Sequence, residues 1–260
     1  AYYTAHADMP RIGFSPDASF PVINTEKGML HFQLKAEAVK TGLQVKHWMT
    51  GERVNVIPGH AEMLLEGGEA LAEQVRAYAK ETGLPYTAEA TAEGVKVTAE
   101  GIPGHSAYPE GRRNAIGMML CLLLRLGVEG PLKTIAEAVG MEHDGASLGC
   151  ACADKVSGPL TCNMGIMRVE NGQIFCTLDD RCPVEADQEK LIAATRAHLP
   201  GVQVEVIEQK APHHVPAESE LVSSLLGAYH EETGLPAVPL SLSQKAPLDA
   251  VTRQTEKATP

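Results

Sequence analysis

Aromatic side chains, basic tracts and long hydrophobic runs are all scarce in this sequence. Its 260 residues include 4 Phe, 6 Tyr and 1 Trp, so the core must be mainly aliphatic. Lys and Arg number 22 against 33 Asp and Glu, which gives a net charge of −11 with no basic tract. A surface of this charge repels phosphate backbones, so nucleic acid is excluded as a partner.

The sequence also lacks the features of a membrane or secreted protein. Its longest mostly apolar stretch, from Met118 to Leu126, is far shorter than the roughly 20 residues that cross a bilayer. No basic start leads into an apolar run, so we expect no secretion signal. The 6 cysteines show neither the spacing of a zinc knuckle nor a disulfide framework, and we expect them to be reduced. The expected location is the cytoplasm, without a membrane partner.

Apolar and polar residues alternate in two regions of the chain and predict half-buried strands there. The first region contains MLHFQLKAE, LQVKHWMT, a helix that ends at Gly83, and a hairpin that turns near Gly94. The second contains the hairpin signal Asn171-Gly172, then a helix and a strand. Both regions run hairpin, strand, helix, strand, which predicts two copies of one α/β unit. Between them, NAIGMMLCLLLRLG predicts a buried helix.

The two ends of the chain have a different character. Proline punctuates residues 1–27, which predicts loops rather than regular structure. Near the other end, ESELVSSLLGAYHEETG predicts an amphipathic helix that stops at Gly234. After Leu242 no apolar period remains, and we expect an irregular tail.

Three polar residues are candidates for chemistry, and each also has an ordinary structural explanation. Asp17 follows a proline in an apolar segment, where an Asp usually starts a turn. His105 lies on a loop rich in Gly and Pro, a setting that holds functional side chains as well as ordinary turn residues. Arg181 follows Asp179 and Asp180 at the end of an apolar strand, so a local ion pair is its alternative. From the residues alone, the chain is an α/β protein without an assigned function.

Several motifs together resemble one enzyme family. FSPDASFPVINTEKG resembles the segment that enters the lid domain in bacterial dipeptidases of the PepV and Sapep type, within the dinuclear-zinc family that also holds aminoacylases and carnosinases. RVNVIPGHAEMLLEG, GIPGHSAYPEGRRNAIG, DGASLGCACADKVSGPLTCNMGIMRVENG and LDDRCPV follow in that family's order. ELVSSLLGAYHEETG resembles the catalytic-domain helix after the lid. The resemblance covers residues 1–243.

This resemblance implies an α+β chain in three parts. Residues 28–212 would form a lid, or dimerisation-like domain, made of two related α/β sandwich (ferredoxin-like) units. Residues 1–27 and 213–260 would be partial segments of an α/β catalytic domain, the second of them ending in the irregular tail.

The resemblance also implies an activity and four site residues. Asp17 matches a zinc ligand, Asn55 and Arg181 match substrate-binding residues, and His105 matches the lid histidine that stabilises the oxyanion. The implied reaction is metal-dependent hydrolysis of dipeptides with a free C-terminal carboxylate. The implied cofactor is zinc, two ions in a complete family member, with manganese as the alternative.

The motifs of the family's catalytic core are absent from the chain. In the order of the family, the His-x-Asp motif, the metal-bridging Asp and the Glu-Glu pair would lie upstream of Ala1, and the final histidine ligand would follow Leu242; none of them is matched here. We therefore expect a truncated and inactive piece that does not bind zinc tightly. The alternative is a non-catalytic binding or assembly module that uses the sheet edges or helices of the lid. Expected partners are a small peptide substrate and either a second copy or a complementary chain.

Overall fold

The computed structural model describes residues 13–15 and 19–241, which divide into two units. Residues 27–212 form the larger unit, and the described parts of residues 1–26 and 213–260 form the smaller one. The candidate zinc ligand Asp17 and the tail expected after Leu242 lie outside the described residues.

The described residues form both strands and helices. The strands are β1 (Ile23–Glu26), β2 (Gly28–Glu37), β3 (Val45–Thr50), β4 (Val56–Ile57), β5 (His60–Leu65), β6 (Tyr86–Thr91), β7 (Gly94–Glu100), β8 (Gly104–His105), β9 (Ala153–Asp154), β10 (Gly158–Pro159), β11 (Thr161–Glu170), β12 (Gln173–Cys182), β13 (Gln203–Lys210), β14 (His213–His214) and β15 (Leu240–Ser241). The helices are α1 (Glu69–Thr82), α2 (Ala115–Arg125), α3 (Gly130–Val139), α4 (Gln188–Ala197) and α5 (Glu220–Thr233). The predicted mixture of helices and sheet is confirmed.

An eight-stranded sheet, antiparallel throughout, organises the larger unit. Its strand order is β13-β2-β12-β11-β3-β5-β7-β6. Strands β13, β2, β12 and β11 form one half, and β3, β5, β7 and β6 form the other. The halves join along β11 and β3, from Met167 opposite Thr50 to Glu170 opposite His47. The sheet is therefore continuous across both halves.

Strand β2 departs from the order along the chain, which would place it beside β3. It lies instead between β13 and β12, inside the other half of the sheet. Its side chains Leu30, Phe32 and Leu34 are fully buried, and they share one core with apolar residues of α1, α2 and α4. A strand this buried needs a backbone partner on each side, and β12 and β13 provide both.

Alternation along the strands separates two faces of the sheet. Leu30 and Phe32 belong to the core, so His31 between them projects from the opposite face. Across the β2–β12 ladder, His31 lies opposite Asp179, and Leu30 lies opposite Asp180. The consecutive residues Asp179 and Asp180 consequently project from opposite faces.

The local signals for turns and helix ends were informative. Asn171 and Gly172 join β11 to β12 with φ angles of 52° and 75°, which confirms the predicted hairpin. Gly83 ends α1 with a φ of 68°, as predicted. Helix α2 is buried on nearly all sides, as its apolar sequence predicts, and the side chain of Asn114 caps its first turn.

The smaller unit contains a three-stranded sheet and helix α5. Strand β1 pairs with β14 in the antiparallel sense and with β15 in the parallel sense. The expectation of loops alone in residues 1–27 is therefore wrong, because the partners that make Ile23–Glu26 a strand come from the other end of the chain. Helix α5 begins after the cap Ser219 and ends at Gly234, as predicted.

Two further properties concern the described part of the chain. All 6 cysteines are free, four of them buried. None of the helices among residues 19–241 has the length and apolarity needed to cross a membrane.

Candidate functional site

Three of the four candidate residues lie in the larger unit. Asn55 is in the turn between β3 and β4, His105 ends β8, and Arg181 is near the end of β12. The fourth, Asp17, lies outside the described residues, so its predicted role as a metal ligand stays a prediction.

Short backbone contacts bring Asn55 and His105 together. Val56 pairs with His105 where β4 and β8 form a two-stranded sheet. The N–H of Ser106 donates to the carbonyl of Asn55 at 3.1 Å. The Asn55 turn and the His105 loop are thus one hydrogen-bonded assembly, although 50 positions separate the two residues in the sequence.

Arg181 forms the ion pair that its sequence context suggests. Its Nε lies 3.0 Å from Oδ1 of Asp179, and its Nη2 donates to Oδ2 at 3.3 Å. The Asp179 side chain is fully buried, while the Arg181 side chain keeps 21% exposure. Asp179 therefore holds the Nε–Nη2 edge, the inner edge, of a guanidinium that keeps partial exposure.

Asp179 also receives hydrogen bonds from two further residues. Ser106 donates from Oγ to Oδ2 at 2.5 Å, and Nε2 of His31 lies 3.0 Å from Oδ1. Burial raises the pKa of Asp179, but the hydrogen bond with His31, the charge of Arg181 and the hydrogen bond from Ser106 outweigh it, and the pKa is lowered. The carboxylate is thus ionised although it is buried.

His31 connects Asp179 to a second carboxylate at the sheet surface. Its Nδ1 lies 3.0 Å from Oε2 of Glu208, and Glu208 in turn contacts Lys210 at 2.9 Å. The hydrogen bond with Lys210 is the largest influence on Glu208 and lowers its pKa. Because both ring nitrogens of His31 face carboxylate oxygens, both contacts are complete hydrogen bonds only when both nitrogens carry hydrogen.

Asn163 fixes the Asn55 turn from the neighbouring strand. It lies directly opposite Asp179 on the β11–β12 ladder and is 5% exposed. Its Nδ2 donates to the carbonyls of Val54 and Val56 at 3.1 and 3.0 Å, on either side of Asn55. Its Oδ1 accepts from Asn114 at 2.9 Å. Two neighbouring residues on β11 and β12 therefore contact the segments that carry all three candidates.

The supporting residues His31, Ser106 and Asn163 were not among the candidates predicted from the sequence. Ser106 directly follows a candidate, while His31 and Asn163 are polar residues inside the apolar strands MLHFQL and TCNMGIM. A buried polar residue in such a strand must find a partner, and this was the available signal.

Asp180 is a second buried carboxyl group, on the core face. It is fully buried, and neither of its oxygens accepts a hydrogen bond of ordinary geometry, although the thiol of Cys162 lies nearby. Burial raises the pKa of Asp180 to about 7, and the charge of Asp179 adds to this rise. Asp180 is thus protonated under conditions where Asp179 is ionised.

The described residues do not fit a metal ion. Within residues 13–15 and 19–241, no group of three or more His, Cys, Asp or Glu side chains is arranged to hold one. A tetrahedral zinc site takes three or four protein ligands. We therefore derive no catalytic step through a metal from this part of the chain.

The chain is similar over most of its length to proteins that are named as dipeptidases. It is 28% identical over 253 residues to YtjP of Bacillus subtilis, a protein named as a dipeptidase. The matched region covers 93% of this chain and 54% of that protein. The chain is 26% identical over 245 residues to a Beta-Ala-Xaa dipeptidase of Lactobacillus delbrueckii subsp. lactis, covering 90% of this chain and 52% of the relative. These similarities confirm the resemblance to bacterial dipeptidases. The chain spans about half the length of the curated relatives it matches.

Two other comparisons complete the picture. No family model matches the chain. Among solved structures, an aminoacylhistidine dipeptidase from Vibrio alginolyticus matches 85% of this chain and 52% of its own at a TM-score of 0.39 and 11% identity.

Proposed function

We propose that the larger unit is the lid of a metal-dependent dipeptidase and binds dipeptides that have a free C-terminal carboxylate. The observation that carries this proposal is the Arg181 guanidinium, held on its inner edge by the buried Asp179 and partly exposed beside the Asn55–His105 assembly. In this proposal the two halves of the sheet are related ferredoxin-like units. Their shared strand pattern and the dipeptidase similarity support it.

Arg181 suits the capture of a carboxylate. A guanidinium has five N–H donors in a planar fork, and Asp179 contacts only Nε and Nη2. The hydrogens of Nη1 remain for the terminal carboxylate of a peptide, which a guanidinium binds through paired hydrogen bonds. The proposed substrates are accordingly small peptides with a free carboxyl end.

His105 is suited to donate to an oxyanion. Its Nδ1 accepts a hydrogen bond from the N–H of Ala107 at 3.1 Å, so the neutral ring carries its hydrogen on Nε2. The ring is exposed, and its Nε2–H is the donor we assign to the oxygen of a scissile carbonyl. Asn55, whose carbonyl holds the same loop, is assigned to the substrate as well.

The proposal includes zinc, or manganese, as the cofactor of the complete site, with Asp17 as one ligand. Since the described residues hold no ligand cluster, we assign to them substrate binding and oxyanion stabilisation rather than metal chemistry. The proposed location is the cytoplasm, and no nucleic acid or membrane partner is proposed.

Binding of a matched ligand pair tests the proposal. The ¹⁵N-labelled 260-residue chain is titrated with alanylalanine and with its C-terminal amide, and amide-proton shifts are followed by NMR. We expect saturable shifts around Arg181 and His105 with alanylalanine, weaker binding of the amide, and loss of this preference in Arg181→Gln. Equal binding of both ligands, or no binding of either at millimolar concentration, would contradict the proposal.

A second function is favoured by one specific observation. The described residues combine the lack of a metal-binding cluster with a wide sheet that ends in β6 and β13. This combination suits a non-catalytic binding or assembly module derived from the lid. Dipeptide hydrolysis is assayed with added zinc or manganese, alone and with a complementary chain. Turnover under either condition favours the enzyme, whereas its absence together with stable self-association favours the module.

A further inference from the structure

We infer that Asp179 is a positioning residue that sets Arg181 and the His105 loop in one fixed arrangement. This inference rests on the proposed function, because it assigns the residue that prepares the proposed binding site. Asp179 does not contact the ligand in this account and acts through its neighbours.

Three residues hold Asp179 through hydrogen bonds and an ion pair. Oδ1 lies 3.0 Å from both His31 Nε2 and Arg181 Nε, and Oδ2 receives Ser106 Oγ at 2.5 Å and Arg181 Nη2 at 3.3 Å. The Nε contact is an ion pair without hydrogen-bond geometry, so three of the roughly four acceptor positions of an ionised carboxylate are used. A fully buried carboxylate with these partners is restrained, so the groups bound to it are restrained as well.

Ser106 transmits this rigidity to the other two candidates. Its side chain is anchored to Asp179, its backbone N–H donates to Asn55, and it directly follows His105. Ser106 is itself 1% exposed, so water does not replace these contacts easily. Displacing the Asp179 carboxylate would therefore release both the guanidinium and the loop.

His31 is a third residue tied to Asp179, besides Arg181 and Ser106. Its Nε2 lies 3.0 Å from Oδ1 of Asp179, and its Nδ1 is contacted by Glu208, which Lys210 also contacts. His31 is on β2 and Asp179 is on β12, so this contact fixes the carboxylate from the neighbouring strand.

A matched pair of variants separates positioning from general stability. Asp179→Asn and Asp180→Asn replace adjacent, fully buried carboxyl groups by the same isosteric amide. Only Asp179 contacts Arg181 and Ser106, because Asp180 projects from the other face of the sheet. Asp180→Asn thus controls for the loss of a buried carboxyl group at nearly the same place.

The experiment follows the Arg181 Nε–H signal in the 260-residue chain, without ligand and then with alanylalanine or its amide. In Asp179→Asn we expect this signal to shift and exchange faster with water. We also expect alanylalanine affinity to fall by about tenfold and the carboxylate preference to disappear. Asp180→Asn should leave the Arg181 Nε–H signal and the binding of alanylalanine unchanged. An unaltered signal and preference in Asp179→Asn would overturn the inference.

Two further variants keep the test decisive. If Asp179→Asn does not fold, Ser106→Ala removes only the link to the loop, and it should shift the His105 ring signals while leaving the Arg181 Nε–H signal in place. No change at His105 would overturn the inference. If Arg181→Gln retains the carboxylate preference, the proposed function fails. The positioning role is then decided by the Arg181 and His105 signals of Asp179→Asn, measured without ligand.

Discussion

Replacing Asp180 by Asn should make the larger unit less sensitive to rising pH. In the folded chain Asp180 keeps its proton up to about pH 7, because burial opposes its ionised form. In the unfolded chain it loses the proton near its ordinary pKa of 3.8. The folded pKa is raised, so the stability from this group is complete below pH 4 and is lost as the pH rises toward 7.

The size of the effect follows from the two pKa values. A rise from 3.8 to about 7 corresponds to about 4 kcal/mol, of which about 3 kcal/mol is lost between about pH 5 and pH 8. The amide introduced by Asp180→Asn does not titrate, so the variant avoids this loss. Its N–H donors take the place of an oxygen that has no hydrogen-bond partner, and a buried amide left unpaired there costs about 1–3 kcal/mol at every pH. We expect Asp180→Asn to be slightly less stable near pH 5 and about 1–3 kcal/mol more stable than the parent above about pH 7.

Trp48 provides the assay. It is the single tryptophan of the 260-residue sequence, and it is fully buried in the larger unit. Its fluorescence therefore reports unfolding of that unit. Urea unfolding of both proteins is measured at several pH values from about pH 5 to pH 8. Asp179→Asn serves as the control. The pKa of Asp179 is lowered, so its stabilising effect is present above pH 4, and its removal should destabilise the chain throughout this range. Parallel pH profiles for the parent and Asp180→Asn would refute the reasoning.

Three further predictions concern two glycines with positive φ, the candidate site and zinc binding. In thermal melts, Gly51→Ala should lower the melting temperature strongly, because its Cβ would lie 1.9 Å from the carbonyl oxygen of Gly165. The control Gly172→Ala has a similar positive φ but open space around the added Cβ, and it should cost only about 1 kcal/mol. Asn163→Ala should lower the free energy of unfolding, followed by Trp48 fluorescence, by about 2–3 kcal/mol, since two carbonyls of the Asn55 turn lose their donor. It should also weaken alanylalanine binding, and an unchanged affinity would count against the proposed site. Equilibrium dialysis should find no stoichiometric zinc at sub-micromolar affinity, and tight binding that is lost in Asp17→Ala would reveal a site we do not foresee.

Much of the secondary structure could be predicted because its signals are local. The Asn171-Gly172 turn, the end of α1 at Gly83 and the buried helix α2 each follow from a few neighbouring residues. The placement of β2 could not be predicted in this way. Its partners β12 and β13 lie far along the chain, and alternation specifies which side chains are buried without specifying which strands lie beside them.

The candidate site also depends on contacts between distant segments that local patterns do not specify. Motif resemblance singled out Asn55, His105 and Arg181, and the fold links the segments that carry them through Ser106 and Asp179. Asp17 lies outside the described residues and stays a prediction. The supporting residues were missed because their importance arises from contacts across the sheet, which no local spacing encodes.

The adjacent residues Asp179 and Asp180 show how the fold assigns chemistry that the sequence leaves undetermined. In the sequence they are identical neighbours at the end of one strand. The two-residue period of a strand sends one to each face. Asp179 meets three hydrogen-bond donors and a positive charge and is ionised, while Asp180 enters the core without a donor of ordinary geometry and keeps its proton. A one-residue change of register would exchange the two faces, placing Asp179 and Arg181 together in the core and Asp180 on the opposite face. The register of β12 therefore determines both the proposed site and the stability of the sheet that carries it.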